Sequence, residues 1–342
     1  MHIRFTGGRL ALPGILTLSL ALLPAGMQAA SCKTQSQMAA TQRDALSNVA
    51  RSLMSEVQTG NIQALRQNTL PAIASDFGGI ESTVEGLKPL IAGATITVDN
   101  LFVMDSTAEA AGSLRTDFFC GSPVVVMNFT DLPPGVYALA ILHATGVPQP
   151  QQVTFVLAET TDHRWLLGGF QPPKPMLEAG HDGLWYWTAA RKYAQKNQNW
   201  GAWFYYRTAA YYLSPVEFLS SPNLEKLQKE EDKVHPDGLP ATATTPLMLN
   251  AQGNVFRVTT VDTSTTFGAL DLEIQYVPDE GQVAQLRDPP TARKQVTQVM
   301  TTLLAQHPEL REAFHGIWVH ADQGSVSLFS LELPMDQIVP GA

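Results

Sequence analysis

Ten of the chain's fourteen Trp and Tyr residues fall between His181 and Leu213. This density restricts the possible folds more than any other feature. The segment reads as two helices, 181–196 and 200–213, joined at Asn197–Asn199. A helix packed on one side buries one stripe of residues. In the second helix Ala202, Tyr206, Ala209 and Leu213 form such a stripe, whereas Trp200, Phe204 and Tyr211 lie on another face and Tyr205 and Tyr212 on a third. A one-sided core cannot take them all. Either protein packs around the pair from several directions, or part of it is an exposed binding surface. On the second reading Trp187, Trp200, Trp203 and Tyr211 would offer flat rings, and Arg207 beside them would stack or pair with anionic groups. An envelope protein, a peptide or a glycan would suit such a surface.

The N-terminus reads as a removable export signal over residues 1–31. Arg4 and Arg9 begin it without an acidic neighbour, and Leu10–Leu23 is an apolar run of 14 residues, short of the ~20 needed to span a bilayer. Pro24 and Gly26 break the run, and Ala29, Ala30 and Ser31 suit a peptidase. The expected compartment is therefore extracytoplasmic, periplasmic or secreted. Removing the two arginines takes the formal charge from −9 to −11, which excludes a general nucleic-acid binder, since that needs a basic face.

The two cysteines, Cys32 and Cys120, leave three readings open. An oxidising compartment favours a disulfide. Ala29-Ala30-Ser31-Cys32 also resembles a bacterial lipoprotein box, though Ala29 stands where leucine is usual; a lipid on Cys32 would tether the chain to a membrane. Free thiols are the third reading.

The rest of the chain predicts an α+β fold. Residues 41–58 form an amphipathic helix ended by Gly60, 61–74 a shorter helix interrupted at Pro71, and 82–91 a third. Strands follow over 94–104, 109–119, 123–129, 135–144, 152–158 and 163–170, in the manner of an antiparallel meander. Gln171–Pro175 is a proline-stiffened exit. After the aromatic pair come a charged helix at 223–233 and a linker at 234–250. A small α+β unit then spans 251–342, with strands at 254–261, 270–277, 316–321 and 325–332 and a helix from Asp288 to about Gln306. The expected units are thus 40–175, 181–233 and 251–342.

Helix first, then paired strands 94–104 and 109–119, then a closing strand with Trp165-Leu166-Leu167-Gly168-Gly169-Phe170: this order resembles the NTF2-like, SnoaL-type cone fold over residues 40–172. The resemblance implies a sheet curled around a pocket, used for catalysis by some relatives and for binding or assembly by others. The spacing of Tyr193, Ala202, Tyr206, Ala209 and Pro215 is similar to one tetratricopeptide repeat at 181–215. Its proline lies one place late and no neighbouring repeat is visible.

No nucleophile elbow, zinc-protease helix or phosphate loop occurs in the chain. His315 and His320, five apart, point to opposite faces of a strand, and His181-Asp182 lacks further ligands nearby, so neither metal nor cofactor is expected. If the cone holds chemistry, Asp117 and His143 are its candidate acid–base pair. The preferred expectation is an exported, non-enzymatic protein that binds an envelope partner or ligand. The alternatives are a cone-pocket enzyme acting on a small apolar molecule and a lipid-anchored envelope component.

Overall fold

The computed structural model describes residues 30–239, 242–251 and 253–339. The expected leader lies outside the described residues apart from Ala30 and Ser31. The fold is α+β, with a strongly curled eight-stranded sheet and a five-stranded sheet.

The chain enters as a short strand β1 (Ser31–Thr34), then forms helix α1 (Ala40–Thr59), closed by Gly60 in the left-handed conformation. The region read as one interrupted helix is α2 (Ile62–Gln67) and α3 (Pro71–Ala74), with proline at the start of the second. Next come α4 (Gly78–Leu87), β2 (Thr95–Asp105), β3 (Arg115–Cys120), β4 (Val125–Thr130), β5 (Val136–Thr145), β6 (Gln151–Glu159) and β7 (Trp165–Pro175).

The expected meander is corrected in one place. Strands β2 and β3 do not pair with each other: β1 lies between them, antiparallel to β2 and touching β3 at Cys32 opposite Cys120. The disulfide Cys32–Cys120, with Cα atoms 4.9 Å apart, fixes that placement. The same bond excludes the lipid on Cys32, because its sulfur has no valence left for a thioether. Strand β5 then pairs with β2 rather than with β4.

Both faces of the curled sheet are covered. On β5, Ala138, Ala140, Leu142 and Ala144 join the core under α1 and α4, whereas Leu139 and Ile141 join a second core on the opposite face. A strand buried on both faces carries a continuous apolar run rather than alternation, which accounts for ALAIL in β5 and LFVM in β2.

The aromatic segment forms α5 (Gly183–Gln195) and α6 (Asn199–Leu213), with Asn197 at φ 58° in the turn between them. After it a two-residue strand β8 (Leu219–Ser220) pairs with β4 and ends the first sheet. Helix α7 (Pro222–Asp232) follows. The expected linker is not free: Val234, Leu239 and Leu249 are buried in the second half's core, and β9 (Leu247–Ala251) pairs with β10 (Asn254–Ser264). Strand β11 (Asp271–Val277) runs parallel to β12 (Gly316–Gln323), so a crossover is required. Helices α8 (Glu280–Gln285), α9 (Pro289–Gln306) and α10 (Leu310–Ala313) supply it, and β13 (Val326–Pro334) completes the sheet.

Helices α5 and α6 do not stand as a separate unit. Their rings share one core with α9 and the inner face of the second sheet, from Tyr186 through Val299 to Ile338. Nine of the fifteen residues of α6 are buried, which answers why it is aromatic nearly all round. At ~1.5–3 kcal/mol for each large apolar side chain removed from water, this helix is a principal source of cohesion.

Candidate functional site

Three of the five residues expected to form an aromatic surface are interior. Trp187 donates its Nε1–H to Glu230 Oε2 at 2.8 Å, and the Arg191 guanidinium lies 4.3 Å from its ring centre. Trp200 packs against the His307 imidazole at 4.2 Å, and Trp203 meets Phe204 and His235 edge-on. All three rings are buried. Their aromatic density is explained by packing, and the surface reading fails for them.

Tyr211 and Arg207 are placed differently. Tyr211 is 49% exposed, and both residues line a concavity of about 310 Å³ between the end of α6 and β10. The local structure explains how it arises. Asp182 caps α5 by accepting from the Trp185 N–H at 2.8 Å. Gly183 then sits against the last turn of α6: a Cβ built there would lie 2.8 Å from Leu213 Cγ and 2.9 Å from Tyr212 Cβ. Beyond α6 the chain crosses to the curled sheet, where Lys174 Nζ donates to the Ser214 carbonyl and Gln152 Nε2 to the Pro215 carbonyl, both at 3.2 Å.

Tyr212 lines both this hollow and a second one, which opens between the helices and the curled sheet. The first carries Glu178, Arg207, Tyr211 and Asp262 with the hydroxyls of Ser264 and Thr265. The second, about 300 Å³, carries Asp99, His143, Lys174 and Asp182. Arg207 Nη1 is 3.9 Å from Asp262 Oδ1, and its guanidinium lies 4.8 Å from the Trp203 ring centre. Lys174 Nζ stands 4.6 Å from the centre of the Tyr211 ring. Burial holds the Lys174 ammonium below its usual range, with Glu217 pulling the other way. Burial, with Glu178 beside it, pushes the Tyr211 phenol upward, so it stays a neutral hydroxyl.

The acid–base pair expected in a cone does not exist. Asp117 on β3 accepts from Arg115 Nε at 2.7 Å, and β2 and β1 lie between β3 and β5. His143 is 3.9 Å from Asp99 instead and faces the second hollow. The helix-covered side of the sheet, where a cone pocket would open, is filled by Leu46, Met54, Leu65, Leu142, Phe155 and Leu167, all fully buried.

Sequence reasoning missed Lys174, Glu178, Tyr212 and Asp262 as lining residues. Lys174 was visible only as part of a proline-stiffened exit, and Asp262 reaches the hollow from a strand more than fifty residues beyond Arg207. Comparison with protein-family models, curated proteins and solved structures gives no match.

Proposed function

We propose that this chain is an exported, non-enzymatic binding protein whose ligand is a short glycan held in the first hollow, between the end of α6 and β10. One observation carries the reading: Tyr211, Arg207, Asp262 and Glu178 converge there with several hydroxyls, in a concavity of about 310 Å³. A sugar presents hydroxyls to charged and hydroxylic partners and an apolar ring face to an aromatic ring, and placed polar groups fix the orientation of a small ligand. The filled helix-side face of the curled sheet weighs against the alternative of catalysis inside a cone.

The disulfide supports the oxidising compartment that the leader predicts. Among the described residues no helix is long and apolar enough to cross a membrane. The resemblance to the NTF2-like fold remains a proposal. Its helix-then-curled-sheet order supports it, and the insertion of β1 between β2 and β3 departs from it.

The test is saturation-transfer NMR with a panel of mono- and disaccharides, amino sugars included, on the disulfide-intact protein. Binding that weakens at least tenfold in Tyr211→Ala and Arg207→Ala is expected. A panel without a binder, or binding untouched by both substitutions, would remove the glycan reading.

A further inference from the structure

A second constellation lies on the five-stranded sheet and owes nothing to the two hollows. Leu272 and Ile274 on β11, Ile317 on β12 and Leu333 on β13 point into the core. Their neighbours Asp271, Gly316 and Glu332 alternate to the other face. His315 is the residue before β12. Its N–H donates to the Leu270 carbonyl at 2.9 Å, and its Nδ1 lies 3.1 Å from Asp271 Oδ1. One ligand atom from each of Asp271, His315 and Glu332 falls within 4.8 Å of the other two.

Two carboxylate atoms in this cluster lack partners. Asp271 is fully buried and its Oδ2 accepts no hydrogen bond; Glu332 Oε1 is likewise buried and unpartnered. Among the described residues, the ion pair of Asp271 is with His315, and Glu332 has none with a lysine or arginine. The backbone is shaped to the cluster. A Cβ added to Gly316 would lie 2.6 Å from Glu332 Oε1, 2.9 Å from Asp271 Oδ1 and 2.8 Å from the Leu333 carbonyl oxygen. Oxygens from three residues therefore converge over a glycine. Buried carboxylates without partners are costly unless a positive charge compensates them. One imidazolium offsets one charge; a divalent cation offsets two.

We propose that Asp271, His315 and Glu332 form a binding site for a divalent transition-metal ion, with zinc the first candidate. Two carboxylate oxygens and one imidazole nitrogen are a borderline donor set that suits zinc better than calcium or magnesium. Bonds of about 2.0–2.2 Å place tetrahedral neighbours about 3.4 Å apart, so the three groups close by about an ångström on binding. The His315 side chain, 51% exposed, is free to make that adjustment and leaves an entry path. Three protein ligands leave a coordination position for water.

The experiment is calorimetric titration of ZnCl2 into the EDTA-treated, disulfide-intact protein at neutral pH, with CaCl2 in parallel. One zinc per chain at micromolar affinity or tighter is expected. His315→Ala and Glu332→Gln should each weaken it at least tenfold, and His320→Ala, whose histidine faces Glu273 at 3.4 Å, should leave it unchanged. Zinc should raise the Tm of the parent and not of His315→Ala, a variant that folds because the ring is half exposed. Absence of zinc binding to millimolar concentration, binding that survives both substitutions, or a preference for calcium each overturns the proposal. A Tm that responds to pH and not to zinc would do the same, in favour of a proton shared by the two carboxyl groups.

Discussion

At Gly183 the start of α5 packs tightly against the end of α6. The atoms that a Cβ would meet are Leu213 Cγ, Tyr212 Cβ and the Leu213 backbone nitrogen at 3.1 Å, and a backbone atom cannot swing aside. Gly183→Ala is therefore expected to cost ~1–3 kcal/mol by overpacking and to displace Tyr212 between the two hollows; a urea melt and the Tyr212 ring resonances would show both. His307 illustrates the other kind of residue effect. Burial against Trp200 holds its imidazole below the usual range, with Glu309 pulling upward. Since the folded value lies below the unfolded one of about 6.5, the unfolded state binds the extra proton first. Its contribution is complete above that pH and is lost as the pH falls toward the folded value. The urea midpoint should thus drop between pH 7.5 and pH 5.5, and His307→Gln should narrow the drop; an equal drop in the variant would refute the assignment.

The elements legible in advance were those whose local pattern carries their reason. Helix α1 has its apolar period and terminal glycine, α9 its Asp288 cap and double proline, and each lies within two residues of where the sequence puts it. Strands β1, β8 and β9 were not legible. Four residues, two residues and a stretch inside a polar linker have no periodicity to read, and each is a strand because a partner edge awaits it. The four-residue β1 organises most: it lies between β2 and β3 and is tied to β3 by the disulfide. Closing a loop of 88 residues in sequence separation, that bond is expected to contribute ~2–5 kcal/mol. Cys32→Ser with Cys120→Ser should lower the denaturation midpoint accordingly, and amide exchange should rise first along β1 and the edge of β3. Uniform exchange over the whole sheet would mean β1 is held by its ladder with β2 alone.

At the scale of the molecule, there are three cores: one on each face of the curled sheet and one under the second sheet. Leu219 and Val216 belong to the core on one face of the curled sheet although they follow the aromatic helices in sequence, and Phe218 packs at a tilt against Phe129, ring centres 4.6 Å apart. Leu219→Ala should cost ~2–5 kcal/mol, and the loss should fall on the first half. Five of the six tryptophans lie beyond residue 184, so far-UV dichroism is expected to change before tryptophan fluorescence in that variant; coincident transitions would show that the halves unfold as one. The chain's own pattern determined the α+β class and the excess of aromatic rings beyond what one helix face can bury. Those are consequences of local periodicity and composition. Which way the rings face, which strand lies between β2 and β3, and which charged groups share a hollow were decided only by tertiary structure. Asp262 beside Arg207, and Asp271 beside His315 and Glu332, are brought together by strand pairing across long stretches of chain, and no local spacing encodes that.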